Sequence, residues 1–184
     1  MSGRVLNINF HGIGTPPQRV SDAERVVWVS QACLAEILDR AIEEPEIRLS
    51  FDDGNACDID VAVPMLAERG LSAAFFLVSE RLGKAGYVSA NDICDMARAG
   101  MTVGSHGATH RPWRNLAPAE LAQELTTSRA TLEDHAGVPV ASAACPFGAY
   151  DRRVLRAVRQ AGYERLFTSD GGLASPDEWL QPRT

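Results

Sequence analysis

The sequence predicts an α/β protein built on a parallel β-sheet. Apolar strand-like segments alternate with amphipathic helical segments, most helical segments are followed by glycine, and acidic or histidine residues follow several predicted strands. Strands that alternate with helices form βαβ units, whose right-handed crossovers make neighbouring strands parallel. Periodicity alone does not distinguish an open doubly wound sheet from a closed barrel.

The predicted strands are short apolar runs bounded by loop residues such as glycine and proline. They lie at residues 5–10, 26–29, 47–52, 73–78, 101–106, 140–145 and 165–169. Residues 179–183 resemble the start of one more strand. Asp52, Asp53, His106, Phe147 and Asp170 fall at or just beyond the C-terminal ends of strands, where parallel α/β folds build their active sites.

The predicted helices begin at capping residues and end before glycine or proline. Ser30 and Ser89 are suitable N-caps, and Pro118 suits a first helical turn. The helices cover residues 31–43, 59–69, 90–99 and 118–136, with a last one running from the N-cap Asp151 to Ala161.

Composition is that of one globular domain, residues 1–184. The hydrophobic content is 45%, the net charge is −6, and lysine and arginine form no run. Such a surface does not attract phosphate groups, so we expect no nucleic-acid or anionic-membrane partner. No stretch reaches the length of a transmembrane segment.

The four cysteines are far apart and show no Cys-x-x-Cys spacing. We interpret them as reduced core residues, which favours the cytoplasm. The first ten residues contain no uninterrupted hydrophobic stretch, so we expect no signal peptide in this chain, although one already removed would leave no trace.

Two adjacent carboxylates, Asp52 and Asp53, end the strand in the run Leu49-Ser50-Phe51-Asp52-Asp53-Gly54. Like charges side by side require a cation, a proton or several donors. His106 and His110, which follow another predicted strand, are suitable co-ligands, so Asp53, His106 and His110 form a predicted three-ligand metal site. The alternatives are a hydrogen-bonded pair of loop histidines and a pair of helix-capping aspartates.

These motifs resemble the polysaccharide deacetylase family, the NodB-homology enzymes of carbohydrate esterase family 4. Phe51 to Gly54 match its Phe-Asp-Asp-Gly signature, and His106 to His110 match its His-x-x-x-His motif. Pro146-Phe147-Gly148 match part of a third motif, Arg-x-Pro-Tyr/Phe-Gly. The resemblance covers roughly residues 48–170 and implies a deformed (β/α) barrel of about seven parallel strands.

The resemblance also implies roles for the residues. Asp53, His106 and His110 would bind one divalent cation. Zn²⁺ is the first choice, and Co²⁺ and Ni²⁺ are alternatives. Asp52 would be the general base for the metal-bound water, because only one of two adjacent carboxylates can face the metal squarely. Phe147 would contribute a backbone N–H as oxyanion donor, and Pro146 would fix the turn at the substrate site. Pro-Phe-Gly could equally be a simple turn.

The chain departs from the family pattern in two places. Ala144 stands where the third motif has an arginine that orients the base, so we expect Asp52 to lack this support unless Arg111, Arg152 or Arg153 replaces it. A C-terminal Leu-x-His motif has no counterpart before Thr184, so the domain could lack a C-terminal part.

His11 is the predicted general acid, by position and by elimination. Two of the four histidines are assigned to the metal, and His135 lies at a helix end. His11 follows an N-terminal strand that could close the sheet beside the Asp52 strand, and imidazole exchanges protons near neutral pH. A loop histidine bonded to backbone is the alternative.

The sequence thus predicts a metal-dependent hydrolase that removes an N-acyl group, above all acetyl, from an amino sugar or N-acetylated polysaccharide. Trp113 is the predicted sugar-stacking residue, with Trp28 and Tyr150 as alternatives. Hydrolysis of another C–N amide bond and a catalytically silent carbohydrate-binding domain are the competing functions. Neither the particular sugar nor the oligomeric state follows from the sequence.

Overall fold

A computed structural model describes residues 3–184 and contains one seven-stranded parallel sheet. The order of its strands is β1-β4-β5-β6-β7-β8-β9. A separate two-stranded sheet pairs β2 with β3. The strands are β1 (Leu6–Phe10), β2 (Gly12–Ile13), β3 (Trp28–Val29), β4 (Ile47–Asp53), β5 (Ala73–Leu77), β6 (Thr102–Ser105), β7 (Ser142–Ala144), β8 (Arg165–Thr168) and β9 (Leu180–Pro182).

Helices connect successive strands of the large sheet. They are α1 (Asp22–Arg25), α2 (Gln31–Glu43), α3 (Val63–Glu68), α4 (Ala90–Arg98), α5 (Pro118–Ala136) and α6 (Arg152–Gln160). Ser30, Ser89 and Asp151 cap α2, α4 and α6 with their side chains, as their residue types predict. Gly137 ends α5 in the left-handed conformation, at φ 67°.

The two edges of the sheet meet, so the sheet is a nearly closed barrel. The backbone N–H of Asn9 donates to Thr184 (2.9 Å), and that of Thr184 donates to Asn7 (2.9 Å). These bonds join the end of β9 to β1. The predicted deformed (β/α) barrel of about seven parallel strands is therefore confirmed, and its last strand, β9, lies within the run at residues 179–183.

Successive side chains along each strand point to opposite faces of the sheet, which separates an apolar outer layer from a polar interior. Phe10, Phe51 and Phe75 stack in a row on the outer face, with ring centroids 5.0 and 4.9 Å apart, and the helices cover them. The next residue along each strand faces inward. Phe76 and Phe167 are 4.9 Å apart there, and the guanidinium of Arg183 lies 5.2 Å from the Phe76 ring.

Three local predictions require correction. The predicted strand at residues 26–29 is only β3, which pairs outside the barrel because β4 already occupies the edge beside β1. The predicted helix at residues 59–69 begins as a π-helical turn, Asp58–Ala62. The short capped helix α1 was not predicted. Among the described residues, no helix has the length and apolar character needed to cross a membrane.

The π-helical turn buries a carboxyl group. Asp58 is completely buried, and its Oδ2 has no hydrogen-bond partner. Burial first, and then the charges of Asp53 and Asp52, raise the pKa of Asp58 well above its ordinary value. The folded protein therefore favours the protonated carboxyl.

Replacing Asp58 tests this directly. A carboxyl with a raised folded-state pKa stabilises the fold below its unfolded pKa, about 3.9, and loses that contribution as the pH rises. From pH 5 to pH 6, the free energy of unfolding of Asp58→Asn should therefore rise relative to wild type, because only the wild-type protein loses the contribution of the protonated carboxyl. Urea titrations of metal-free protein at both pH values measure the difference. Asp60, on the same turn, is exposed, so Asp60→Asn should show no such change with pH. An equal change in both variants would contradict a raised pKa for Asp58.

Candidate active site

The predicted site residues meet at the C-terminal ends of neighbouring strands. Asp52 and Asp53 end β4, His106 follows β6, and Phe147 lies just after β7. β5 separates β4 from β6 and contributes no ligand, since its last residue is Leu77. The barrel therefore gathers side chains that are about fifty residues apart in sequence.

Asp53, His106 and His110 each offer a ligand atom, and these atoms lie within 4.8 Å of one another. The Nε2 of His110 is 3.1 Å from the Oδ1 of Asp53. Asp53 and His106 are buried, and His110 is half-buried. One carboxylate and two imidazoles are a donor set that zinc uses in catalytic sites, where water or substrate takes a further position. The residues present therefore fit a divalent cation.

Protonation states favour metal binding. The Nδ1 of His106 lies 2.9 Å from the carbonyl oxygen of Ala144, which can only accept, so Nδ1 carries the proton and Nε2 keeps its lone pair. Burial lowers the pKa of His106, and burial together with His106 lowers the pKa of His110 to about 4. Both imidazoles are therefore neutral at pH 7, as ligands must be.

Arg81 is bonded to two of the three ligands. It donates to the Oδ1 of Asp53 (2.9 Å) and to the Nδ1 of His110 (3.0 Å). Because a guanidinium only donates, His110 carries its proton on Nε2 in this arrangement. Coordination through Nε2 requires that proton to move to Nδ1, so Arg81 would turn away from His110 when a cation binds.

Backbone strain is concentrated at the site. Within residues 3–184, the non-glycine residues with positive φ are Asp53 (81°), His110 (62°) and Phe147 (58°). Such conformations cost free energy and persist only where the surrounding structure imposes them. At Asp53 the turn breaks the alternation of β4, so both carboxylates of the Asp52-Asp53 pair face the site.

A buried arginine directly after the last strand holds Asp52. The Nη1 and Nη2 of Arg183 donate to the two carboxylate oxygens of Asp52, each at 2.7 Å. Asn9 donates to Oδ2 of Asp52 at 3.1 Å and accepts from Arg183 at 2.8 Å. Burial alone would raise the pKa of Asp52, but the charges of Arg183 and then His106 outweigh it and hold that pKa well below its ordinary value.

The expectation that Asp52 lacks an arginine is therefore wrong. Arg183 reaches the carboxylate from β9, across the barrel interior, while Ala144 on β7 presents only its carbonyl oxygen to His106. None of the three arginines considered from the sequence takes this role. Arg111 pairs with Glu120, Arg153 donates to the backbone of Leu116 and Arg114, and Arg152 lies on the exposed side of α6.

Glu124 on α5 fixes the loop that carries the two histidines, a role that the sequence did not reveal. Its buried carboxylate accepts from the backbone N–H of Thr109 (2.7 Å) and from the Thr109 hydroxyl (3.0 and 3.1 Å). A Cβ at Gly107 would lie 2.8 Å from Glu124 Oε1, and Gly107 has a φ of 82°. The loop thus needs glycine at this position to pack against α5.

The aromatic predictions have different outcomes. The stacking role of Trp113 is corrected, because its side chain is 0% exposed in the core and offers no ring face to a sugar. Tyr150 donates to Asp170 at 2.6 Å. Trp28 lines a cleft together with His11 and Asp53. Phe147 is 64% exposed, and its ring centroid lies 4.6 Å from that of His110.

His11 and Pro146 lie where the sequence analysis placed them. His11 follows β1, which pairs with β4 as expected, and it is half-buried beside Asp53. It is close enough to Asp52 for its charge to lower the pKa of that carboxyl. Pro146 is buried at the start of the turn after β7. Their roles in binding or catalysis stay predictions.

The sequence is similar to those of known proteins. The sequence profile of the polysaccharide deacetylases matches residues 39–166. The chain is 25% identical over 150 residues to YxkH of Bacillus subtilis, which carries the same family name. That match includes 82% of this chain and 54% of YxkH, so the chain spans about half the length of this relative.

Solved structures share the fold at low identity. The PplD deacetylase of Streptococcus pyogenes, solved in complex with acetate, has a TM-score of 0.83 at 19% identity, with 100% of this chain and 93% of PplD covered. IcaB of Ammonifex degensii has a TM-score of 0.83 at 20% identity, covering 100% and 92%. A Bacillus cereus polysaccharide deacetylase has a TM-score of 0.85 at 22% identity, covering 99% and 64%. The family profile, which matches most of the chain, shows that this protein belongs to the polysaccharide deacetylase family.

Proposed function

We propose that this protein is a metal-dependent hydrolase that removes the acetyl group from an N-acetylated amino sugar of a polysaccharide. The observation that carries the proposal is the position of Asp52. It lies beside three convergent metal-ligand side chains, and an arginine holds it ionised. A carboxylate base next to a cation site suits hydrolysis of an amide bond.

Asp53, His106 and His110 would hold the cation, with zinc as the first choice and cobalt or nickel compatible with the same ligands. A bound divalent cation acidifies water and polarises a carbonyl oxygen. Asp53 and the neutral histidines would fix its position, with Ala144 orienting His106 and Arg81 orienting Asp53.

Asp52 can accept one proton from the attacking water. A carboxylate offers about four acceptor positions, of which Arg183 fills two and Asn9 one. The Oδ2 of Asp52 lies 3.7 Å from the Nε2 of His106, so the carboxylate borders the ligand cluster. Because its pKa is low, Asp52 is ionised throughout the range in which the histidines are neutral.

Other residues complete the proposed site. The backbone N–H of Phe147, in its strained turn, is the proposed oxyanion donor, and the exposed Phe147 ring forms one rim of the site. Pro146 holds that turn, and Trp28 offers a surface for a sugar ring. The acetate bound in the PplD deacetylase is the product that deacetylation would give.

Arg183 weakens the alternative of a silent carbohydrate-binding domain, because Asp52 has an arginine partner although Ala144 stands at the motif position.

Acetate release from a panel of N-acetylated glycans, with and without zinc, tests the proposal. We expect release that a chelator abolishes and zinc restores. Asp53→Ala should lose both metal and activity, since it removes a ligand. Asp52→Asn should keep its metal while kcat falls by roughly 10² or more, because only the proton acceptor is lost. A zinc-loaded wild-type protein inactive on every glycan would contradict the proposal; metal loss in Asp52→Asn would contradict the division of roles.

His11 is the proposed general acid for the leaving nitrogen, because it shares a cleft with Asp53. His11→Gln should keep metal and substrate binding, lower kcat by roughly 10², and flatten the alkaline limb of the pH profile. His135→Gln, at the end of α5, is the matched control and should behave as wild type. If the kcat of His11→Gln equals that of wild type across pH, His11 is not the general acid and has only a structural role in its loop.

A further inference from the structure

A second cavity opens at the opposite end of the barrel from the metal ligands. Its volume is about 640 Å³, within the usual range of small-molecule sites. Its walls include the first residues of five strands: Ile47, Ala73, Thr102, Ser142 and Arg165. It is therefore at the N-terminal rim of the barrel, and we call it the foot cavity.

Packed side chains separate the foot cavity from the metal site. The Arg183 guanidinium lies 5.2 and 5.8 Å from the rings of Phe76 and Phe167, and Phe167 lines the cavity. Ser50 also lines it, and its hydroxyl accepts from Arg183 at 3.2 Å. A molecule in the foot cavity would thus be separate from the proposed catalytic groups.

The foot cavity is positively charged. Arg48, Arg69 and Arg165 line it, and none of the described lining residues is acidic. Arg69 pairs with Asp39 at 2.7 Å. Arg48 and Arg165 form no ion pair with any residue in the described range. Two arginines without carboxylate partners on one cavity favour an anion.

A buried acceptor in the wall lacks a donor. Asn7 is 2% exposed and lines the foot cavity, and its Oδ1 has no hydrogen-bond partner. The amide cannot be turned to relieve this, because its Nδ2 donates to the carbonyl oxygen of Pro182 (3.0 Å), which only accepts. That oxygen is closed to solvent, so a bound molecule would find its hydrogen-bond partners among the hydroxyl groups of the wall. The hydroxyls of Ser50, Thr102 and Ser142 add further polar partners.

We propose that the foot cavity binds a small organic anion that also carries hydroxyl groups, such as a sugar phosphate or a sugar acid. Its anionic group would pair with Arg48 and Arg165, and its hydroxyl groups would bond to the hydroxyls of Thr102 and Ser142. This site is independent of the proposed deacetylase reaction.

Calorimetric titration of the full chain with glucose 6-phosphate, gluconate and glucose tests the proposal. We expect at least one of the two anions to bind, and neutral glucose to bind at least tenfold more weakly, because it lacks the charge that the arginines recognise. Binding by only one anion would identify phosphate or carboxylate as the preferred group. Absence of binding by both anions, or equal binding of glucose, would overturn the proposal.

Variants locate the binding. Arg48→Gln combined with Arg165→Gln should weaken anion binding at least tenfold. Both side chains are exposed, so the double variant should still fold. The control is Arg152→Gln with Arg156→Gln, an equally basic pair on α6, which should bind as wild type does. Asp53→Ala should also retain binding, since the metal is not involved. Wild-type anion binding by the Arg48 and Arg165 variant would refute the foot cavity as the site, as would loss of binding in Asp53→Ala or in the α6 control.

Discussion

The ion pair between Arg183 and Asp52 is the interaction on which the rest of the structure depends. It joins the end of the last strand to the strand that carries Asp52 and Asp53, across the interior of the barrel. Both charges are buried, so each is tolerable only while the other is in place. The pair therefore keeps β9 beside β1 and keeps Asp52 ionised beside the metal ligands. The same ion pair thus closes the barrel and keeps the proposed base ionised.

The ligands themselves depend on conformations that the chain would not adopt alone. Asp53, His110 and Phe147 have positive φ, and the packing around each must offset the strain. Glu124 contributes most visibly, because it binds the loop between the two histidines through both the backbone and the side chain of Thr109. The barrel thus supplies rigid strand ends, and a few buried polar residues set the loops that follow them.

The sequence predicted the strands, the parallel barrel and the family well, because hydrophobic periodicity, helix caps and contiguous motifs are local signals. It failed where the partner is distant in sequence. Arg183 is 131 residues from Asp52, and residues 179–183 indicated a strand but not which side chain faces inward. Glu124 resembles an exposed charge on an amphipathic helix. Trp113 looked accessible because it follows a metal-ligand motif, and only tertiary packing shows that it is buried.

A double-mutant cycle of Arg183→Met and Asp52→Asn, followed by urea unfolding of metal-free protein, tests the central claim most directly. Removing the arginine alone leaves a buried, uncompensated carboxylate and should cost about 3–5 kcal/mol of unfolding free energy. In the Asp52→Asn background the same substitution should cost much less, with a coupling energy of at least about 2 kcal/mol. Additive effects of the two substitutions would mean that the pair does not organise the barrel, and would contradict the account.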